Sequence, residues 1–135
     1  EKGGRVFENA PLSAALPAAD LERAKRWYSE KLGLEPVDED EFGGAHYETG
    51  GVHFMVFLTP NAGTNQATAA GFSVDNFDEV VDELRGRGVV FEDVDFGEMG
   101  KTIDGVISAP DGSMKSAWFK DSEGNILALS TQPPG

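Results

Sequence analysis

Two histidines and a glutamate lie close together in the chain and are the residue types best suited to acid–base or metal chemistry. His46, Glu48 and His53 flank the pair Gly50 and Gly51, and the sequence contains no third histidine. A Gly-Gly pair between two β-prone stretches predicts a two-residue hairpin turn. This turn would place Glu48 opposite His53, and strand alternation would place His46 on the same face. Two imidazoles and a carboxylate on one face are a ligand set for zinc or iron.

The same three side chains also fit a simpler interpretation, the partly exposed polar face of a hairpin. A ligand motif indicates a metal only when its structural context assembles the ligands. Cysteine is absent from the sequence, which excludes disulfides, thiolate metal sites and cysteine nucleophiles. The sequence also has no Gly-x-Ser-x-Gly, Walker or Rossmann pattern, so none of these common catalytic or nucleotide-binding motifs is predicted.

The composition predicts a soluble protein of one domain that binds neither nucleic acid nor membranes. The chain has 135 residues, with 24 acidic and 11 basic side chains and a formal charge of −13. Nucleic acids and anionic membranes are bound through clustered lysine and arginine, so this charge argues against both. No apolar run reaches the ~18–20 residues of a membrane span, and the sequence lacks the basic-then-apolar pattern of a secretory signal. Because disulfides are absent as well, we expect a cytoplasmic protein.

A repeat of 55 residues organises the chain. Asp20 and Asp75 each precede an amphipathic stretch, and Gly33 and Gly88 each follow one, with 55 residues between the members of each pair. An aspartate at the start accepts the free N–H groups of a first helical turn. A glycine at the end adopts the left-handed conformation that closes a helix. The repeat therefore predicts two helices, each beginning at its aspartate and ending at its glycine.

Strands are predicted on both sides of each helix. They are expected at residues 12–18, 34–37, 46–49 and 52–58 in the first copy, and at 71–74, 89–94, 115–120 and 125–130 in the second. The Gly-rich segment 96–112 predicts a loop over one end of the sheet, with a short strand at 103–107. The predicted order is β-α-β-β-β, twice. We expect an extension at residues 1–9, one domain at 10–132 with modules at about 10–60 and 66–132, and a tail at 133–135.

Two segments resemble a known superfamily. The residues from Ala18 to Leu34, which contain Asp20, Trp27 and Gly33, resemble the first module of vicinal oxygen chelate proteins. The residues from Trp118 to Leu127 resemble the closing hairpin of the same superfamily, with Ser122 where proline is usual. Glyoxalases, extradiol dioxygenases, fosfomycin-resistance enzymes and bleomycin-resistance proteins belong to it. The resemblance implies an α+β fold of two tandem βαβββ modules that form a curled mixed sheet around a pocket.

The resemblance also implies where a metal would be bound. In metal-dependent relatives, histidine and glutamate side chains on strands of both modules hold a divalent ion. In this sequence the corresponding positions lack imidazole and carboxylate groups: Ser13, Ala69 or Thr68, Met55 or Phe57, and Ala128. We therefore expect no metal and no cofactor at the standard site. The group His46, Glu48 and His53 stays as an alternative metal site.

A ligand pocket is expected where the metal would lie. Strand alternation predicts that the same small and apolar side chains line it, together with one aromatic residue: Ser13, Met55, Phe57, Ala69, Trp118 and Ala128. Trp118 faces away from its neighbour Phe119, so if Phe119 packs under the helices, Trp118 faces the pocket. The alternative is that Trp118 lies in the core or in a dimer contact.

Three functions are compatible with these residues. The first is a metal-independent protein that binds or confers resistance to a small molecule, an antibiotic or a metabolite. The second is a lyase or dioxygenase-type enzyme with a displaced metal site, and the third is a metal-free isomerase or lyase that uses an acid such as Glu48 as base. The acidic clusters at residues 38–41 and 92–98 predict a solvated edge, with a cationic ligand as the alternative. The resemblance also implies a homodimer.

Overall fold

The computed structural model describes residues 6–131, except for the side chain of Met99. Part of the predicted N-terminal extension (residues 1–5) and the predicted end of the domain with its tail (residues 132–135) lie outside the described residues. The elements of the first module are β1 (Ala14–Ala18), α1 (Leu21–Trp27), β2 (Asp38–Glu39), β3 (Gly44–Thr49) and β4 (Val52–Leu58). Those of the second are β5 (Thr68–Val74), α2 (Phe77–Gly86), β6 (Val106–Ser108), β7 (Lys115–Lys120) and β8 (Ile126–Thr131).

The strands form two four-stranded mixed sheets with the same topology. The strand order is β1-β4-β3-β2 in the first sheet and β5-β8-β7-β6 in the second. In each sheet the edge strand β1 or β5 runs parallel to its neighbour, and the other pairs are antiparallel. The predicted α+β fold of two tandem βαβββ modules is confirmed, with two sheets that do not close on each other. No helix within residues 6–131 is long and apolar enough to cross a membrane.

The first helix begins and ends where the sequence predicts. The Asp20 side chain accepts a hydrogen bond of 3.0 Å from the backbone N–H of Arg23. After Trp27 the helix continues as a π-helical turn over Tyr28–Leu32 and ends at Gly33, whose φ is +70°. A positive φ is strained for a residue with a Cβ, which explains the glycine at this position.

The second helix differs from the prediction by one residue at its start. Its N-cap is Asn76, whose carbonyl accepts the hydrogen bond of Val80, so the prediction of Asp75 as N-cap is wrong. Two neighbouring polar residues suit an N-cap equally well, and the sequence does not distinguish between them. At the other end, Gly88 has a φ of +91° and closes the helix as predicted.

Two of the predicted strands do not form. Residues 34–37 are irregular because Pro36 has no N–H to donate, and the strand that pairs with β3 consists of Asp38 and Glu39. Residues 89–94 contribute a single bridge, between Phe91 and Phe119. The remaining part of the β7 edge is occupied by β6, which overlaps the short strand predicted at 103–107 within the segment 96–112 but begins three residues later. Two segments therefore share one edge of β7.

Both sheets and both helices share one apolar core. On α1 and the turn that follows it, the Tyr28 ring packs against Tyr47 and Phe54 of the first sheet, at 5.6 and 6.2 Å between centroids. The neighbouring Trp27 stacks on Phe119 of the second sheet at 6.3 Å. This segment therefore lies between the two sheets, and each sheet directs one face towards it. The opposite face of each sheet remains for other functions.

Polar contacts at the β7–β8 turn join the modules. The Asp121 carboxylate accepts hydrogen bonds from the Tyr28 hydroxyl at 2.7 Å and from the Asn125 amide at 2.8 Å. The same amide donates to the carbonyl of Pro17 in β1 at 2.9 Å. Asp121 also accepts from the backbone N–H groups of Glu123 and Asn125. These turn residues therefore have a structural role.

Glu123 makes the second contact between the modules. Its side chain is fully buried and accepts two hydrogen bonds from the guanidinium of Arg23, at 2.8 and 3.0 Å. The backbone N–H groups of Ala19 and Asp20 donate to the same carboxylate at 2.9 and 3.1 Å. The hydrogen bonds from Arg23, supported by those from Ser122 and the backbone, lower the pKa of Glu123 to about 2.

The two buried tyrosines of this core are expected to respond in opposite ways to loss of the hydroxyl. Tyr28→Phe removes a donor to a buried carboxylate and is expected to lower the free energy of unfolding by about 1–3 kcal/mol. The hydroxyl of Tyr47 is buried without a hydrogen-bond partner among the described residues, and burial raises its pKa to about 12. Tyr47→Phe is therefore expected to be neutral, or stabilising by up to about 1 kcal/mol. Urea unfolding measures both; equal losses in the two variants would contradict this account.

Protonation of Glu123 is expected to lower the free energy of unfolding at acidic pH. Because its folded-state pKa lies below the ordinary value of 4.5, the stabilisation is complete above pH 4.5 and is lost as the pH falls towards about 2. The full contribution is about 3 kcal/mol, at ~1.4 kcal/mol per pKa unit. In Glu123→Gln we expect this stabilisation to be absent already at neutral pH. The free energy of unfolding of the variant should therefore change less between pH 4.5 and 2. Parallel curves of unfolding free energy against pH for the two proteins would show that Glu123 is not responsible.

Candidate functional site

The predicted pocket residues of the first module lie on the sheet face opposite the core. Leu16 and Val56 are buried on the core side, whereas Met55 and Phe57 alternate with them and are half-exposed on the other side. Ser13 directly precedes β1 and is exposed. Strand alternation therefore places Met55 and Phe57 on the face opposite the core.

The predicted residues of the second module lie on the corresponding face of the second sheet. Trp118 and Ala128 are opposite each other on β7 and β8, and both are half-exposed. The indole N–H of Trp118 donates to the hydroxyl of Thr68 at 3.1 Å, and its ring packs on Phe96 at 5.0 Å. Ala69 lies at an irregularity in the pairing of β5, between Thr68 and Ala70. Trp118 thus faces away from buried Phe119, as predicted.

A cavity of about 450 Å³ lies between the edge strands β1 and β5. Ser13 is the one predicted pocket residue that lines it, and the other five lie elsewhere on the two faces. The remaining wall is mostly apolar and includes Leu16, Phe54, Phe72 and Leu127. The polar side chains in the wall are those of Ser13, Thr49, Ser73 and His53. A cavity of this size accommodates a small organic molecule.

The two histidines are directly hydrogen-bonded to each other. His46 Nδ1 lies 2.9 Å from His53 Nε2, and the ring planes differ by 24°. The second nitrogen of His46, Nε2, lies 2.7 Å from a carboxylate oxygen of Asp40. Asp40, His46 and His53 therefore form a continuous hydrogen-bonded series on the face of the sheet opposite the core.

Glu48 does not join this series. It pairs with His53 across β3 and β4, as predicted, but its side chain is exposed to solvent. Within the described part of the chain, no group of three or more histidine, aspartate or glutamate side chains is arranged to hold a metal ion. The alternative ligand set of His46, Glu48 and His53 is therefore not assembled as a metal site in this structure.

Asp40 was missed as a site residue because it lies in the acidic run 38–41, which was interpreted as a solvated edge. Its other carboxylate oxygen accepts hydrogen bonds from the backbone N–H groups of Phe42 at 2.9 Å and Gly44 at 3.0 Å. The hydrogen bond from His46, followed by that from Phe42, lowers the pKa of Asp40. The sequence signal was the spacing, since an aspartate that precedes a Gly-containing turn commonly binds the backbone amides of that turn.

A family model described as the Glyoxalase/Bleomycin resistance protein/Dioxygenase superfamily matches residues 11–129. The chain belongs to this superfamily. A comparison with curated proteins gives no match.

Solved structures of other proteins have the same fold. A lactoylglutathione lyase from Agrobacterium tumefaciens is 19% identical, with a TM-score of 0.67 and coverage of 91% of this chain and 93% of that one. A glyoxalase/bleomycin resistance protein from Catenulispora acidiphila is 22% identical, with a TM-score of 0.65 and coverage of 90% and 97%. The protein UcmS2 is 20% identical, with a TM-score of 0.69 and coverage of 90% and 98%. At identities this low, the TM-scores show a common fold and nothing further.

The side chains at the superfamily's standard ligand positions do not fit a divalent ion. Ala128 lies between Gly71 and Trp118 in the ladder, so neither it nor its paired neighbours offers a carboxylate or an imidazole. Met55 lies between Ala15 and His46, and both ring nitrogens of His46 are already engaged. Divalent ions in proteins require several oxygen or nitrogen ligands that converge on one point. We therefore assign no metal chemistry to these positions.

The backbone at Gly44 is expected to be essential for the Asp40–His46 contact. A Cβ added at Gly44 would lie 2.5 Å from the Asp40 carboxylate and 2.9 Å from the methyl group of Met55. Gly44→Ala is therefore expected to displace Asp40 and to lower the free energy of unfolding by about 1–3 kcal/mol. Gly86→Ala is the control, because Gly86 lies in α2 with no atom near an added Cβ, and it should gain about 0.5–1 kcal/mol. Equal stability of the two variants in urea unfolding would contradict this contact.

Proposed function

We propose that the protein binds a small organic molecule, a metabolite or an antibiotic, without a metal at the superfamily's standard positions. The observation that carries the proposal is the replacement of all four ligand positions by residues without imidazole or carboxylate groups, in a chain that has a cavity of about 450 Å³ between β1 and β5. An apolar wall with few polar groups is typical of a small-molecule site. No cofactor is required for this function, and we expect the protein to act in the cytoplasm.

A homodimer is part of the proposal. One segment of the chain, α1 with its following turn, is packed between both sheets, so the faces with Met55 and Phe57 and with Trp118 and Ala128 lie on the outer sides of the sheets. Six residues predicted to line one pocket therefore lie on two faces of a single chain. A second copy that supplies the complementary face would complete a pocket from them.

The enzyme hypotheses differ in their support. The hypothesis of a displaced metal site has no support among the described residues, because Glu48 lies outside the hydrogen-bonded series of the two histidines. One observation supports the hypothesis of a metal-free isomerase or lyase: the hydrogen bond between His46 and His53. It makes an imidazole, in place of Glu48, the candidate base.

Calorimetry of the purified protein against a library of antibiotics and small metabolites tests the proposal. We expect at least one ligand, affinity unchanged by a chelator, and metal content well below one ion per chain by elemental analysis. Phe72→Ala, which removes an aromatic ring from the cavity wall, should weaken binding by about tenfold or more. Phe7→Ala, which removes an exposed aromatic ring, should leave it unchanged. Stoichiometric metal or the absence of any ligand would overturn the proposal.

A further inference from the structure

The Asp40 carboxylate fixes the position of the proton on His46. An ionised carboxylate only accepts hydrogen bonds, so His46 must donate to it from Nε2. Hydrogen bonds from His46 and from the backbone N–H groups of Phe42 and Gly44 hold the pKa of Asp40 below its usual range. The neutral His46 ring consequently has its lone pair on Nδ1.

The His46 ring in turn fixes the proton on His53. With a lone pair on His46 Nδ1, the 2.9 Å contact is a hydrogen bond donated by His53 Nε2. The other nitrogen of His53, Nδ1, is then unprotonated, and it has no hydrogen bond to the described residues. Two successive contacts thus make His53 Nδ1 an acceptor.

His53 also lines the cavity between β1 and β5. Most of the surrounding wall is apolar, which suits a ligand that is itself mostly apolar. The charged groups beside the two rings are acidic: Asp38, which pairs with His46, Asp40, and Glu48, which is opposite His53. An anion is therefore repelled. A neutral molecule that donates one hydrogen bond fits both conditions.

We infer that this cavity binds a small, mostly apolar molecule with a weakly acidic hydroxyl group, such as a phenol, and that His53 Nδ1 accepts the hydroxyl proton. The inference rests on the proposed small-molecule binding and names its ligand class. When the proton transfers, the ligand O–H bond breaks and an N–H bond forms at Nδ1. The Nε2 proton of His53 passes to His46 Nδ1, and the resulting imidazolium lies 2.7 Å from Asp40. His46 and Asp40 are positioning residues, and the ligand remains as an oxyanion whose charge is offset by the imidazolium formed in the same step.

The proton positions are testable without a ligand. Long-range proton–nitrogen NMR correlations distinguish the two tautomers of a neutral imidazole, and His46→Gln and His53→Gln assign the two rings of the chain. In the wild type, both rings in their neutral form should be protonated on Nε2. A wild-type His53 that is protonated on Nδ1 would overturn the inference.

Asp40→Asn provides a sharp comparison. The amide oxygen must stay with the N–H groups of Phe42 and Gly44, since an amide N–H₂ directed at them would place donor against donor. The amide therefore donates to His46 Nε2, and we expect both rings to change to the Nδ1–H tautomer. Glu48→Gln, on the same face but outside the series, should leave both tautomers unchanged. Unchanged tautomers in Asp40→Asn would contradict the role of Asp40.

The ligand class is tested with para-nitrophenol, whose phenolate absorbs visible light, and with para-nitroanisole, which has no hydroxyl proton. The wild type should bind the phenol about tenfold more tightly than the anisole, as expected from one hydrogen bond, and should increase the phenolate fraction. In Asp40→Asn both effects should be lost, and in Glu48→Gln both should be retained.

The possible outcomes separate this inference from the proposed function. Equal affinity for the two probes, or no phenol binding by a protein that binds another library compound, overturns the inference and leaves the proposed function. The absence of every ligand from the library overturns both.

Discussion

The structure depends on two carboxylates, those of Asp121 and Glu123, that are buried at one turn and accept hydrogen bonds from the other module. A buried carboxylate is tolerated only when hydrogen-bond donors replace the water it has lost. The sequence of the second module supplies some of these donors locally, but Tyr28, Arg23 and the backbone at the start of α1 supply the rest. Separation of the modules would leave both groups without these partners. The turn therefore specifies how the two modules pack, in addition to connecting two strands.

This packing determines which faces of the sheets are available for binding. Because α1 and its π-helical turn lie between the sheets, the aromatic residues Tyr28, Tyr47 and Phe119 are all used in the core. Strand alternation then assigns the intervening residues to the opposite faces. Those faces contain small and apolar side chains, among which His46, His53 and Trp118 are the chemically distinctive ones. The core and the candidate site thus both follow from strand alternation, which directs successive side chains to opposite faces of a sheet.

The parts of the fold that the sequence predicted are those encoded by local rules. Asp20, Gly33 and Gly88 each satisfy a requirement of the adjacent backbone, and the Gly50-Gly51 turn fixes the register in which Glu48 faces His53. The strand at residues 89–94 was predicted wrongly because its formation depends on which of two segments gains the edge of β7. That competition is decided by tertiary contacts, and periodicity contains no information about it. How the two modules face each other was beyond the sequence for the same reason.

The candidate site shows a related limit at the level of single side chains. Sequence reasoning paired Glu48 with His53 because residues directly opposite in a hairpin are neighbours. The bond that forms joins diagonal neighbours instead, since His46 lies opposite Met55, two positions beyond His53 on β4. Two imidazole rings reach across that diagonal, whereas the exposed carboxylate stays in solvent. The chemistry of each ring then depends on its second nitrogen, and for His46 the partner of that nitrogen is Asp40, outside the hairpin. In this histidine pair Asp40 determines the proton positions, and the pair can accept a proton at the far nitrogen of His53. A pair of metal ligands differs, because the lone pairs of both rings must be directed at the ion.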